Sequence, residues 1–562
     1  MGETHAVESR DESPGSVEPH PSNHRQASVC FFGLALPLIF LRLGASDVVL
    51  MEGILADGAR WMAQHGEWAV PRLHGELYTY KPPLLYWLTL ASFEAFGESP
   101  WSLRLPSALA GLCMGWTILH LVGRRVDAEV GLYGALASLS GLLVLEKLHL
   151  GEWELMLTAS VGVAIVVACA LLSQGPADST TSNAGRLGEW WWLVGYGALG
   201  VAFLTKGIPA LMFYAPGCLL AVLVTRGWRR LFAPWHLAGG VLFLALAGGW
   251  IVAAWQAQGW EAFAQPLAEA EDKGLQWTAS AVGYTLVKPL LVLAFFLPWT
   301  LALPGLRGHG WQNLGSAGRS LAHTTIAFVV GGVATFMLVP STESRYLLPL
   351  AAPVGILCGL ALVRGRGPWM RRSIRSMAGL LGATVLLAVV LVTTGLLDED
   401  VAGSTLLLLA MVSMGLLGTL LPRFASRLER PLVSTLLVLA MLLCVLRLGI
   451  SDVHRSNTRS QESVAVAFGK HLEPDETLWA GPVSKHFRHS SLTYYLRRPV
   501  RTVVLENDRR PEPGAAVMLY SDEHRAWVED FPFGCREIER VKHRRDELIL
   551  CRVDAGAPVP VF

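Results

Sequence analysis

The amino-acid sequence predicts an all-α polytopic membrane protein with about thirteen transmembrane helices, each crossing needing roughly 20 apolar residues, followed by a small C-terminal α/β domain outside the cytoplasm. Three observations lead there. Of the 562 residues, 52% are hydrophobic and only 16% charged, with a mean hydropathy of +0.41, far more apolar than a soluble chain of this length. Arginine clusters and acidic segments alternate between the apolar runs. After residue 451 the composition turns soluble.

Residues 1–28 are rich in Ser, Pro, His and Glu without apolar periodicity, which predicts a disordered cytoplasmic tail. No cleavage-site pattern follows the first apolar run, so that run is expected to stay. The membrane domain, 29–450, is expected to cross near 29–46, 103–123, 131–147, 154–173, 190–205, 208–225, 237–256, 287–306, 324–340, 346–364, 376–396, 404–421 and 432–450. Segment 82–97 is short and carries two prolines and Glu94, so it is assigned to a long outside loop at 47–102.

Charge checks this order. Arg124-Arg125, Arg226/Arg229/Arg230, Arg307 to Arg319, Arg364 to Arg375 and Arg423/Arg427/Arg430 fall in every second loop, as expected of cytoplasmic loops. The alternate loops are acidic, at Asp47/Glu52/Asp57, Glu146/Glu152/Glu154, Glu261/Glu269/Glu271/Asp272, Glu343 and Asp398-Glu399-Asp400. The N-terminus is therefore expected inside and residues 451–562 outside. That last segment alternates helix-like "SQESVAVAFGKHL" and "SSLTYYLRR" with strand-like "TLWAG", "RTVVLE" and "AVMLYS", then two alternating runs around a charged turn.

Six of the eight cysteines, Cys30, Cys113, Cys169, Cys218, Cys358 and Cys444, lie in expected spans, where a small buried apolar role suits them. Cys535 and Cys551 would face each other if the hairpin turns near Lys542 to Arg545, and are a candidate disulfide in an oxidising compartment. No Cys/His metal-binding spacing or phosphate-binding Gly loop occurs, so nucleotide chemistry is unsupported and no nucleic-acid partner is expected.

The unusual polar residues gather in four places. The 47–102 loop, about 55 residues and far longer than an ordinary connection, holds "LYTYKPPLLYW" and a segment, Glu52 to Gln64, that reads as an amphipathic interfacial helix. "EKLHLGEWE" borders a span with Glu146, Glu152 and Glu154, "FLTKGIPAL" interrupts an apolar stretch with Lys206, and "STESRYLLPLAAP" places Arg345 and Tyr346 at a span's start. Ionisable groups at membrane depth are costly and mark function. Lys81, Lys206 and Arg345, with hydroxyls from Tyr78, Tyr80 and Tyr346, suit a phosphate or pyrophosphate headgroup, because ionised donors make the stronger hydrogen bonds. The carboxylates suit a divalent metal bridging that phosphate or a general base. Singly, the lysines can also be snorkelling side chains, Glu152 a solvated loop charge and the tyrosines an interfacial belt.

"GEWAVPRLHGELYTYKPPLLYWL", followed by "SPWSLRLPSALAGL", resembles the first-loop signature of the GT-C glycosyltransferases, which include lipid A aminoarabinose transferases and, more distantly, protein O-mannosyltransferases. "FLTKGIPAL", "FFLPWTLALP" and "SRYLLPLAAP" are similar to later segments of that family in the same order, so the resemblance covers about residues 47–364. It implies sugar transfer from a polyprenyl-phosphate donor to an envelope acceptor (lipid, glycan or protein) on the outer membrane face, with inversion at the anomeric carbon.

Where the family commonly carries an Asp-Glu pair, this chain has Met51-Glu52. A thioether can neither take a proton nor carry charge, so the expected catalytic carboxylates are Glu52 and Glu154, the latter matching the family's second acidic position. Asp47, Asp57, Glu152, Glu269, Glu271 and Asp272 are supporting candidates. Where some relatives have a carboxylate before the Lys-Pro lysine, Tyr80 stands, which weakens the case for a bound metal. Two further readings stay open: a carrier or flippase of lipid-linked sugars, and a non-catalytic lipid-binding relative.

Overall fold

The computed structural model describes residues 21–365, apart from 74–75, 175–186, 275–278 and 340–343, together with 368 and 372. It also describes residues 461–554, apart from 474–475, 481–489, 498–499, 503–510, 521–534 and 544–545. The spans expected at 376–396, 404–421 and 432–450 lie outside the described residues, as do Cys444 and Glu343.

The chain is built around one helix. The described helices are α1 (Pro21–Phe40), α2 (Leu50–His65), α3 (Leu84–Phe96), α4 (Pro100–Arg125), α5 (Ala128–Ser140), α6 (Leu142–Leu148), α7 (Trp153–Leu172), α8 (Trp191–Lys206) and α9 (Pro209–Thr225). They continue with α10 (Pro234–Gln258), α11 (Glu261–Gly274), α12 (Ala279–Phe295), α13 (His309–Gln312), α14 (Gly315–Met337) and α15 (Ala351–Arg364). Every residue of α7 is buried. A helix apolar on all sides is stable only when other helices cover it, and α4, α8, α9 and α15 pack around this one. Its first turn is therefore held deep in the protein.

Five described helices are long and apolar enough to cross a membrane, or up to seven when each of two bent pairs counts as one span. Two expected spans are the bent ones. The 131–147 run is α5 and α6 meeting at 68°, and the 287–306 run is α12 and a 3-10 helix (Trp299–Leu306) meeting at 98°. Gly141 stands at the first bend, where an added Cβ would lie 3.1 Å from the Phe296 ring, so the bend is filled by the second broken pair. α1 starts at Pro21, earlier than the expected span and inside the expected tail.

The segment assigned to loop at 82–97 is a helix, and that assignment is corrected. Pro83 is the N-cap of α3; prolines suit a helix start, where a missing N–H costs nothing. At 13 residues α3 is only about 20 Å long and falls short of a crossing. Ser99 caps α4 by accepting the Ser102 N–H at 3.2 Å while Ser102 Oγ accepts the Ser99 N–H at 3.0 Å, with Pro100 in the first turn. α2, expected to lie amphipathic at the interface, buries Ile54, Leu55, Ala59 and Met62 in a protein cluster with Tyr78, Tyr86 and Trp153. Burying each large apolar side chain contributes about 1.5–3 kcal/mol, which explains why this loop helix is folded onto the bundle.

In the C-terminal part, strands β3 (Leu478–Ala480), β4 (Val500–Thr502), β5 (Ala516–Tyr520), β6 (Cys535–His543) and β7 (Asp546–Val553) form one sheet in the order β4-β3-β5-β7-β6. β3 runs parallel to β4 and β5, while β7 is antiparallel to β5 and β6. α16 (Glu462–Gly469) and α17 (Ser490–Leu496) cover it, sharing a core of Val464, Phe468, Leu492, Met518 and Leu550. Cys551 is disulfide-bonded. Cys535 lies on the neighbouring strand opposite Val553, with Glu537 opposite Cys551, and the side chain of Cys535 is outside the described residues. Among the span cysteines, Cys169 and Cys358 are buried as expected, whereas Cys30 and Cys113 are exposed on the bundle surface.

Candidate functional site

The site grows from the buried first turn of α7. Glu152 is the N-cap residue and Glu154 the second residue of the helix, both 5–6% exposed. Negative charge is favourable at a helix N-terminus, but burial demands direct partners as well. Lys147, on the bent α6, donates to Glu152 Oε2 at 2.7 Å. Lys206, the last residue of α8, donates to Glu154 Oε1 at 3.0 Å. Arg345 Nε lies 3.8 Å from the same oxygen.

Aromatic rings close one side. Lys206 Nζ stands 4.5 Å from the centre of the Tyr346 ring, and the Arg345 guanidinium is 5.8 Å from it, both within the range of cation–π attraction. α8 ends at Gly207 with φ +74, a conformation that a Cβ would strain. A Cβ placed there would lie 4.0 Å from Pro82, so the Thr-Lys-Gly turn and the Lys-Pro-Pro turn are neighbours. Lys81 donates to the Tyr80 carbonyl at 3.1 Å. The Tyr78 and Tyr80 rings are 5.3 Å apart and join the cluster containing Tyr86 and Trp153. Four segments far apart in sequence thus come together. Lys147, Lys206 and Arg345 gather about Glu152 and Glu154, and the Lys81 turn lies beside them.

Glu52 is held differently. It is fully buried; Arg104 Nε donates to its Oε1 at 2.7 Å and Arg104 Nη2 to its Oε2 at 2.9 Å. The Gly151 N–H adds a bond at 2.7 Å and the Val49 N–H one at 3.1 Å. Arg104 also donates to the carbonyls of Leu43, Ser46 and Asp47. Burial pushes the Glu52 carboxyl up, but Arg104 and the two N–H donors outweigh it and hold it below its ordinary value. A carboxylate whose two oxygens already accept four donors is a poor proton acceptor. Glu52 thereby joins α2, α4 and the turn before α7. Met51 beside it is half-buried against the aromatic cluster.

The supporting candidates divide. Asp47 and Asp57 are half-buried, Asp57 within electrostatic reach of the Tyr86 phenol. Glu271 is exposed on α11, and the side chains of Glu269 and Asp272 lie outside the described residues. Among the described residues no group of three or more His, Cys, Asp or Glu side chains could hold a metal ion.

Arg104, Lys147 and Gln265 were not singled out from sequence. Arg104 and Lys147 had a readable signal, since a lone charge inside an apolar run must find a buried partner. Gln265 had none; only the fold brings it to Thr79. The C-terminal part reaches α2 as well. Tyr495 Oη accepts the Val48 N–H at 2.7 Å, Arg60 Nη2 donates to the Tyr494 carbonyl at 3.2 Å, and Tyr494 enters the same aromatic cluster.

Residues 80–252 match the family described as dolichyl-phosphate-mannose-protein mannosyltransferase. The undecaprenyl phosphate-alpha-4-amino-4-deoxy-L-arabinose arabinosyl transferase of Pectobacterium carotovorum is 28% identical over 326 residues, 56% of this chain and 55% of the relative. A Sodalis glossinidius transferase of the same name is 29% identical over 338 residues, 57% of this chain and 56% of its own length. The chain thus spans about half the length of the curated relatives it matches. The crystal structure of ArnT from Cupriavidus metallidurans bound to undecaprenyl phosphate superposes with a TM-score of 0.73 at 22% identity, covering 95% of this chain and 99% of that one. The fold is shared, and the matches bear out the resemblance to the GT-C glycosyltransferases.

Proposed function

We propose that this chain is an integral-membrane glycosyltransferase that moves a sugar from a polyprenyl-phosphate donor to an envelope acceptor, a lipid such as lipid A, a glycan or a protein. The single observation that carries this reading is the meeting of Lys206 and Arg345 on Glu154, beside Tyr346 and against the Lys81-Pro82-Pro83 turn. Relatives named for an undecaprenyl phosphate-linked sugar, and a solved neighbour bound to undecaprenyl phosphate, support the same chemistry.

In this reaction the bond between the anomeric carbon and the phosphate oxygen breaks, and the oxygen keeps the electron pair. Negative charge therefore grows on the phosphate. Lys81, Lys206 and Arg345, held in place before the reaction, stabilise that charge more in the transition state than in the ground state. Tyr78, Tyr80 and Tyr346 add hydroxyl contacts, and Glu154 keeps Lys206 and Arg345 ordered before the donor arrives. The acceptor oxygen forms the new bond from the opposite side, which inverts the anomeric carbon. A hydroxyl acceptor must lose its proton, a task we assign to Glu154, whose Oε1 pairs with Lys206; an anionic acceptor needs no base. With Glu52 committed to Arg104 and Met51 where relatives carry Asp, the residues present favour an acceptor that is already ionised. The alternation of arginine-rich and acidic loops puts the N-terminus in the cytoplasm and this site, with the C-terminal sheet, on the outer face.

Met51 also favours a second reading, a relative that binds lipid phosphate without transferring sugar. Incubating the purified full chain with a polyprenyl-phosphate sugar and candidate acceptors, with mass spectrometry of the products, separates the two. A glycosylated acceptor is the expected result; donor binding without any product would leave the second reading standing.

A further inference from the structure

The turn that carries Tyr78, Tyr80 and Lys81 contains little regular structure of its own. Only the two-residue strands β1 (Arg72–Leu73) and β2 (Glu76–Leu77) precede it, paired with each other. Side chains from other elements hold this loop in place. Trp250 Nε1 of α10 donates to the Ala69 carbonyl at 3.0 Å, and Trp87 Nε1 of α3 donates to the Trp68 carbonyl at 3.0 Å. Both lie upstream of the tyrosines.

At the tyrosines themselves, among the described residues, Gln265 of α11 holds the turn with three hydrogen bonds. Its Oε1 accepts the Thr79 N–H at 2.7 Å and the Thr79 hydroxyl at 3.2 Å, while its Nε2 donates to the Leu77 carbonyl at 2.9 Å. A primary amide offers a donor and an acceptor in one plane, as a peptide group does, so Gln265 pairs with this turn as a strand residue would. Thr79 is 5% exposed, and the bonds to it are sheltered from competing water. The gripped residues flank Tyr78, and Tyr80 and Lys81 follow directly.

Resting on the lipid-phosphate reading above, we infer that Gln265 is a positioning residue for that site: it touches no substrate, and it sets donor affinity by fixing where Tyr78, Tyr80 and Lys81 stand. Lys81 carries the charge that meets the phosphate, so most of this contribution acts through Lys81 and should be lost when Lys81 is gone. A residue that merely supports the fold would weaken the protein equally with or without Lys81. Double-mutant cycles detect this difference, since residues acting through one another depart from additivity.

The test measures binding of undecaprenyl phosphate, as the probe, to the purified full chain in detergent, for Gln265→Ala, Lys81→Ala and the double variant. Gln265→Met, which keeps the chain length and removes both polar groups, accompanies them in case the shorter side chain disturbs folding. Gln265→Ala and Gln265→Met are expected to weaken binding by roughly 10-fold, and to change it by less than about 2-fold once Lys81 is Ala, the sign of coupling within one unit. Additive losses, or unchanged binding in either Gln265 variant, overturn the inference and leave the lipid-phosphate reading intact. Unchanged binding in Lys81→Ala overturns that reading and the inference together.

Discussion

Lys206 Nζ lies 3.0 Å from Glu154 Oε1, joining the C-terminal end of α8 to the N-terminal turn of α7 inside the bundle. Each group is costly to bury alone, and each serves as the other's counter-charge. An arriving phosphate would compete with Glu154 for Lys206 and find the cation already oriented.

Removing a cation should weaken catalysis, and for Lys206 stability as well, because Glu154 then loses its buried counter-charge. Charge-assisted bonds contribute about 1.5–3 kcal/mol, so Lys81→Ala or Lys206→Ala is expected to lower sugar transfer by at least ~10-fold. Initial rates on folded, size-homogeneous protein check this. Unchanged turnover would return both lysines to snorkelling side chains.

The Glu154 carboxylate should be harder to replace. Gln keeps the shape but cannot take a proton or balance Lys206, and Glu154→Gln is expected to cost on the order of 100-fold with a hydroxyl acceptor, a usual scale for losing a general base. With an acceptor that is already anionic the loss should be much smaller. Comparing the two acceptor types in one assay reads out Glu154's role directly.

Glu52 should matter for stability instead. Breaking a buried ion pair costs about 3–5 kcal/mol because the survivor is left uncompensated. Glu52→Gln, which strands Arg104, should lower the melting temperature clearly, and the paired change Glu52→Leu with Arg104→Met should recover part of it. The Glu52 pKa is depressed below its ordinary 4.5 in the folded protein. Its contribution is thus complete above the unfolded-state value and is lost as pH falls through the folded one. The melting-temperature gap between wild type and Glu52→Gln should narrow in acid; a gap independent of pH would mean that ionisation of Glu52 is not what Arg104 needs.

Topology makes a separate prediction. A reporter fused after Asp452 should appear outside the cytoplasm and one fused near Arg371 inside it, because the arginine clusters and acidic loops alternate. Reporters on the same side would break the placement of the site on the outer face.

The C-terminal docking can be loosened as well. Arg60 bonds the carbonyls of Thr493 and Tyr494 and pairs with Glu98. Arg60→Ala should make the C-terminal part around α17 more sensitive to limited proteolysis. An unchanged digestion pattern would mean that Tyr494 and Tyr495 hold the docking without it.

Much was legible in the sequence because it depends on composition and order along the chain. Apolar runs of crossing length, the arginine alternation and the polar segments around Lys81, Glu154, Lys206 and Arg345 can all be read residue by residue, since a membrane interior penalises any charge that lacks a purpose. The hairpin of β6 and β7 was legible for a related reason: alternation with period two is a local property of a strand.

Tertiary structure alone decided which partners each carboxylate has. Glu52 and Glu154 look alike in sequence, each an acidic residue near the start of a helix in a polar segment. Arg104, 52 positions away from Glu52, takes up both oxygens of one, while Lys206 and Arg345 face the other. No local pattern encodes that difference, because the electrostatic partner of a buried charge is chosen by packing. The helix at α3, the bends after α5 and α12 and the grip of Gln265 on Thr79 are decided the same way, by contacts between residues that the chain brings together only once the bundle has formed.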